Sequence, residues 1–192
     1  MSKQGFARPS AHECARWAAL PALTLRIDRL WGGQPAPAPG PQLRLSFGLS
    51  NLVVEVSAPF HGDPAPVAAP GSLHGLWDYE VVELFLLGDR ECYLELEFGP
   101  HGHYLALRLE GVRQIECAGM AMEYEACREV RRWHGRASVP IDWLPPGMSH
   151  LNAYAIDGCG TSRRYWAWRS AGQVAPDFHR LDCFGTFAEL QP

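Results

Sequence analysis

The feature that most limits the possible folds is a period of two. In "ECYLELEF" (91–98) and "HYLALRLE" (103–110) apolar and polar side chains alternate, and Gly99-Pro100-His101-Gly102 lies between them. Successive residues of a β-strand point to opposite faces. The pair therefore reads as a hairpin of two half-buried strands with a four-residue turn. Closing the ladder at Phe98 and His103 sets Leu96 opposite Leu105, Leu94 opposite Leu107 and Cys92 opposite Leu109. The other face then joins Glu97 to Tyr104, Glu95 to Ala106 and Tyr93 to Arg108, so like meets like throughout.

Similar alternation predicts strands at "LTLRIDRLW" (23–31), "PQLRLSFGLS" (41–50) and "NLVVEVSAPF" (51–60). It continues at "MAMEYEACREV" (120–130), "RRWHGRASVP" (131–140), "HLNAYAID" (150–157) and "RYWAWRS" (164–170). Pro/Gly-rich segments at 32–40, 58–75 and 145–147 read as surface loops. Only one stretch looks helical: Ser10 and Glu13 match a capping box ahead of "CARWAALPAL", which Pro21 ends. Many short strands with almost no helix predict an all-β antiparallel sandwich. The 192 residues suffice for one domain, read as an N-terminal extension (1–22) and a single sandwich domain (23–192).

Composition narrows the partners. A formal net charge of −4 gives no reason to expect nucleic acid. No apolar run approaches the roughly 20 residues of a membrane span. The N-terminus lacks a signal-peptide order because Glu13 and Arg16 interrupt it. Six cysteines without CxxC spacing read as reduced thiols. These readings predict a cytoplasmic protein that engages neither membrane nor nucleic acid; the oligomeric state stays open. Arginine outnumbers the lone Lys3 sixteen to one, the imprint of a GC-rich genome, so single arginines carry little functional weight.

Within "GLWDYEVVELFLLGD" (75–89) alternation puts Val82, Leu84 and Leu86 on one face. Val81, Phe85 and Leu87 share the other with Glu83, whose charge is costly to bury without a partner. An arginine, backbone amides, a metal or a ligand hydroxyl would satisfy it. Glu95 and Glu97 are expected on a solvated face beside Tyr93 and Arg108. His101 and His103 form an HxH pair, but with no third ligand at diagnostic spacing they read as turn histidines, and no metal is predicted. Trp166 and Trp168 share one strand face, with Tyr165 and Ala167 on the other. Two such indoles are ordinarily core, yet Arg163, Arg164 and Arg169 place this strand near solvent, where an exposed indole is a platform for a sugar ring or a cation.

The order of Trp77, Asp78, "VVELFLL", the strand ending "FGPHGHY" and the terminal "YWAWRS…PDFHRLDCFGTF" resembles the DOMON-like, family 9 carbohydrate-binding-module-like sandwiches. "VSAPFHGDPAP", "LWDYEVVELFLL", "YLELEFGPHGHYLALRLEG" and "PDFH" more closely resemble a family known through a vertebrate open reading frame of unassigned function. The likeness spans roughly residues 23–188. In the sugar-binding members two tryptophans sandwich a terminal sugar. Trp77 matches the first, and Trp168 matches the second, with Trp166 as the alternative. Those modules are usually exported appendages of hydrolases, whereas this chain stands alone. Other DOMON domains hold haem through Met and His, a pattern that Met120, Met122 and Met148 do not form, so no cofactor is predicted.

The resemblance thus implies non-catalytic binding of a small carbohydrate or similar polar ligand. Trp77 and Trp168 would stack on it, Asp78, Arg163 or His179 would supply hydrogen bonds, and Glu83 would order the site from beneath. Two alternatives stay open. One is a carbohydrate-active enzyme pairing Glu83 with Asp78 or Glu95; the other is an interaction scaffold with no small ligand.

Overall fold

The computed structural model describes residues 8–37, 39–172 and 175–190. In chain order the strands begin with β1 (Leu23–Arg26), β2 (Arg29–Leu30), β3 (Gln42–Phe47), β4 (Asn51–Pro59) and β5 (Gly71–Ser72). Next come β6 (Val81–Leu87), β7 (Cys92–Phe98), β8 (His103–Glu110), β9 (Ile115–Ala118) and β10 (Glu123–Arg128). The series closes with β11 (Arg132–Pro140), β12 (His150–Asp157), β13 (Arg164–Ala167) and β14 (Gly185–Thr186). A five-stranded sheet runs β1-β3-β4-β11-β10. A nine-stranded sheet runs β2-β13-β12-β6-β7-β8-β5, with β14 beside β12 and β9 beside β8. Pairing is antiparallel apart from the short β5–β8 contact.

The two sheets face each other as an all-β sandwich. Leu43, Leu45, Val54 and Val56 of the first interlock with Leu84, Leu86, Leu94 and Leu96 of the second. The helix α1 (Ala11–Ala18) adds Trp17 to this core. Its capping box is formed as the sequence predicts: the Glu13 N–H donates to Ser10 Oγ at 3.3 Å, and the Ser10 N–H donates to Glu13 Oε2 at 2.8 Å. Among the described residues no helix is long and apolar enough to cross a membrane.

Two expectations are corrected. "LTLRIDRLW" is not one strand: after Ile27 the chain leaves the five-stranded sheet, and β2 joins β13 in the other, with Leu30 opposite Trp166. The 91–110 hairpin is slipped by one residue. Glu97 faces Leu105 and Glu95 faces Leu107. The cause is the turn: the Gly99 N–H donates to the His103 carbonyl at 2.9 Å, which leaves the three-residue loop Pro100-His101-Gly102. Gly102, at φ 83°, takes the left-handed position such loops use. A one-residue slip exchanges the faces of one strand against the other. It puts Leu105, Leu107 and Leu109 on the side of Glu95 and Glu97.

That side is covered. Trp31, Leu76, Phe85, Tyr93, Tyr154, Phe178 and Phe184 build a second apolar cluster on the outer face of the nine-stranded sheet. Phe178 stacks flat on Tyr154, with centroids 4.1 Å apart and planes at 5°, and so fastens the C-terminal segment to β12. The central strand β6 is thus buried on both faces, which accounts for the almost unbroken apolar run of "VVELFLL".

Candidate functional site

The covering layer is incomplete. Over β6, β7 and β8 it leaves a hollow of roughly 550 Å³ whose lining includes Trp77, Asp78, Glu83, Arg163, Tyr165 and His179. One wall is the single 3₁₀ turn Leu76–Asp78, entered through Gly75 at φ 83°, a backbone conformation that favours glycine. Arg163 secures that wall by donating to the backbone carbonyls of Trp77 and Asp78, the latter at 3.0 Å. Its Nε also donates to the Tyr165 hydroxyl at 3.0 Å, so turn and strand are held by one guanidinium.

The floor carries three carboxylates. Glu83 stands directly across from Glu97 in the β6–β7 ladder, and Glu95 lies two residues along on the same face. One oxygen of each falls within 4.8 Å of the others. All three are buried, Glu97 completely, where the expected solvated face would have exposed Glu95 and Glu97. The slipped hairpin and the aromatic cover are the physical reasons. Burial holds Glu83 and Glu97 well above the usual carboxylate range, and the charges of their carboxylate neighbours add to it. Burial also pushes Glu95 up to about 7, against a hydrogen bond from Glu97 and the charge of Arg113. A proton on Glu97 shared with Glu95 fits both directions.

A hydrogen-bonded chain closes the far wall. The Arg113 N–H, at a left-handed φ of 59°, donates to the Tyr93 hydroxyl at 2.9 Å. That hydroxyl lies 2.8 Å from His179 Nδ1. Burial, helped by the Arg113 charge, lowers His179 to about 4, so the ring is neutral at pH 7. Asp177 accepts from the Arg113 guanidinium at 2.7 Å and from the His179 N–H at 3.0 Å.

Of the seven residues singled out from the sequence, Trp77, Asp78, Glu83, Arg163 and His179 line this one hollow. The two late tryptophans do not. On β13, Tyr165 and Ala167 pair with Ile156 and Tyr154 on the hollow's face, and Trp166 has the opposite parity. Trp166 is buried between the sheets, with its indole N–H given to Asp157. Trp168 packs on the inter-sheet core and lines a separate surface hollow with Arg169 and Glu189. Gly185 admits its ring: a Cβ there would lie 2.5 Å from the indole. The expectation that two tryptophans meet at one hollow is therefore corrected: of the tryptophans Trp77 alone lines it, and β13 supplies Tyr165.

Tyr165, Arg113 and Asp177 were missed as lining residues, and Glu95 was named only as the second acid of the enzyme alternative. The first lay in plain view as the opposite-parity partner of Trp166. Arg113 and Asp177 carry no local signal, since their roles come from a contact 64 residues apart in sequence. His101 and His103 diverge: Nδ1 of the first lies 2.9 Å from an Arg128 nitrogen, and Nε2 of the second donates to the Ala68 carbonyl at 2.9 Å.

The human UPF0462 protein C4orf33 is 36% identical over 174 residues, which cover 86% of this chain and 87% of that one. The chain belongs to the UPF0462 family. Its zebrafish (Danio rerio) member, the UPF0462 protein C4orf33 homolog, is 39% identical over 171 residues, covering 84% and 86% of the two chains. The UPF0462 fold also superposes on the crystal structure of a "putative carbohydrate-binding protein" from Bacteroides uniformis. The TM-score is 0.67 at 15% identity, over 86% of this chain and 85% of the other, a likeness of fold. No family model matches the chain.

Proposed function

We propose that the hollow on the nine-stranded sheet binds a small carbohydrate or a similar polar, uncharged ligand. The observation that carries this reading is the meeting, around roughly 550 Å³, of an aromatic wall with hydrogen-bonding groups of both kinds. That volume lies within the roughly 300–1,000 Å³ usual for small-ligand sites. Trp77 and Tyr165 offer flat faces to the C–H side of a sugar ring. Asp78 and Glu83 accept from hydroxyls, Arg163 donates to them, and the neutral His179 ring adds one more hydrogen-bonding nitrogen. Of the two lining arginines, Arg113 is paired with Asp177 and Arg163 holds the Trp77 and Asp78 carbonyls, which disfavours anionic ligands. The fold shared with the Bacteroides uniformis protein, itself described as carbohydrate-binding, supports the same reading.

Glycoside cleavage is less well supported. It needs two carboxylates flanking a bond from opposite sides, whereas Glu83 and Glu95 stand together on one floor, their oxygens within 4.8 Å. The test is a thermal-shift screen against neutral mono- and oligosaccharides, with uronic acids as the disfavoured set. A ligand that binds only the folded state raises the melting temperature. Trp77→Ala and Tyr165→Ala should each weaken a hit about tenfold or more, as removal of an aromatic anchor does. A full shift retained in both variants, or no shift with any saccharide, would overturn the proposal.

A further inference from the structure

We propose that Glu83, Glu95 and Glu97 bind a hard divalent cation, of the calcium or manganese class, at the floor of the hollow. One oxygen from each side chain lies within 4.8 Å of the other two. Calcium–oxygen contacts of about 2.3–2.6 Å set ligands on opposite sides of one ion roughly 5 Å apart, so the three fit around a single centre.

The unpaired atoms point the same way. Glu83 Oε1, Glu95 Oε2 and both oxygens of Glu97 are buried without a hydrogen-bond partner outside the trio. Glu97 does not line the hollow; it lies wholly buried beneath it, with an oxygen turned toward those of Glu83 and Glu95. Among the described residues none of the ion pairs includes these three. The nearby arginines serve other groups: Arg163 holds the Trp77 and Asp78 carbonyls and the Tyr165 hydroxyl, and Arg113 holds Asp177. Buried carboxylates left without a counter-charge are costly, and a cation supplies the charge that the protein omits.

The ligands sit on adjacent, hydrogen-bonded central strands, so their spacing is held before any ion arrives. An all-oxygen set with no imidazole or thiolate suits calcium, manganese or magnesium and disfavours zinc and copper. His179, the histidine among the lining residues, has its Nδ1 beside the Tyr93 hydroxyl. Three protein ligands leave coordination positions open toward the hollow, where water or ligand hydroxyls complete the shell. That last step rests on the carbohydrate reading; the cation site itself does not.

The full chain, stripped with a chelator and dialysed, is titrated at pH 7.5 with calcium chloride and separately with manganese chloride. Isothermal calorimetry and, for manganese, electron paramagnetic resonance follow binding, with no saccharide present. The expected result is one saturable site per chain, weakened at least tenfold by Glu97→Gln and unchanged by Glu55→Gln. Glu97→Gln keeps the shape of a side chain that burial already drives toward its neutral form, so its cation-free melting temperature should match or exceed that of the parent. If it fails to fold, Glu95→Gln takes its place. Failure of both ions to saturate a site up to about 10 mM, beyond the weak end of calcium modules, overturns the proposal. So does binding that Glu97→Gln or its replacement leaves intact, which would place the ion elsewhere. A protein that binds the cation but no saccharide overturns only the carbohydrate reading.

Discussion

Glu55 and Glu97 hold matching places in the two sheets, each on the outward face of an interior strand. The cross-strand neighbours of Glu55 are Arg44 and Arg136. It binds both, at 2.9 and 3.0 Å, in the open. The neighbours of Glu97 are Glu83 and Leu105, under a lid of aromatic rings. The outward face of a sheet is a surface only where nothing is laid over it. Once Trp31, Leu76, Phe178 and Phe184 cover the face, the same side chain type changes from a solvated charge into a functional candidate.

The largest expected break in this contrast is Phe85→Ala. Phe85 is fully buried on the outer side of β6 and touches Tyr93, Tyr154, His179 and Phe184. Its loss should cost about 3–5 kcal/mol in urea unfolding, as core truncations do. Val53→Ala, on the partly open outer side of the other sheet, should cost less than about 1 kcal/mol. Similar costs at both positions would show that the outer layer adds no second core.

Next in size is Glu95→Gln in cation-free protein. Folding raises Glu95 from 4.5 to about 7, so its contribution to stability is complete below pH 4.5 and fades as pH climbs through 7. The amide, which cannot ionise, should be the more stable form by roughly 2–3 kcal/mol at pH 9. Near pH 4 the two should melt alike. A difference that does not vary with pH would mean that Glu95 titrates as an exposed carboxylate.

His179 works on the acid side. Folding depresses it from 6.5 to about 4, so the folded state keeps a neutral ring while the unfolded chain takes up a proton. Stability is unaffected above pH 6.5 and declines as pH falls toward 4, by about 1–2 kcal/mol after allowance for partial exposure. His179→Gln should flatten that limb of a melting-temperature profile. The smallest effect belongs to Glu55→Gln: under about 1 kcal/mol, shrinking further in salt, because exposed pairs are screened.

Strand positions could be read from alternation, and Glu83 declared itself as a charge in an apolar row. The faces of Glu95 and Glu97 could not, because they hinge on whether Gly102 closes a three- or a four-residue turn, and the polar/apolar pattern favours the register that the turn overrides. Trp77, Asp78, Arg163 and His179 came from resemblance and composition, and the fold gathers them from three separate segments. Trp168 misled for a reason of parity. An indole beside arginines looks exposed in sequence, yet its strand turns Tyr165 and Ala167 to the hollow.

Arg163 grips Trp77 and Asp78 by their main-chain carbonyls and leaves both side chains out of the bargain. That grip would therefore outlast an exchange of the amino acids at those two positions. Relatives that keep this arginine are free to diversify what their rims select while inheriting the same frame.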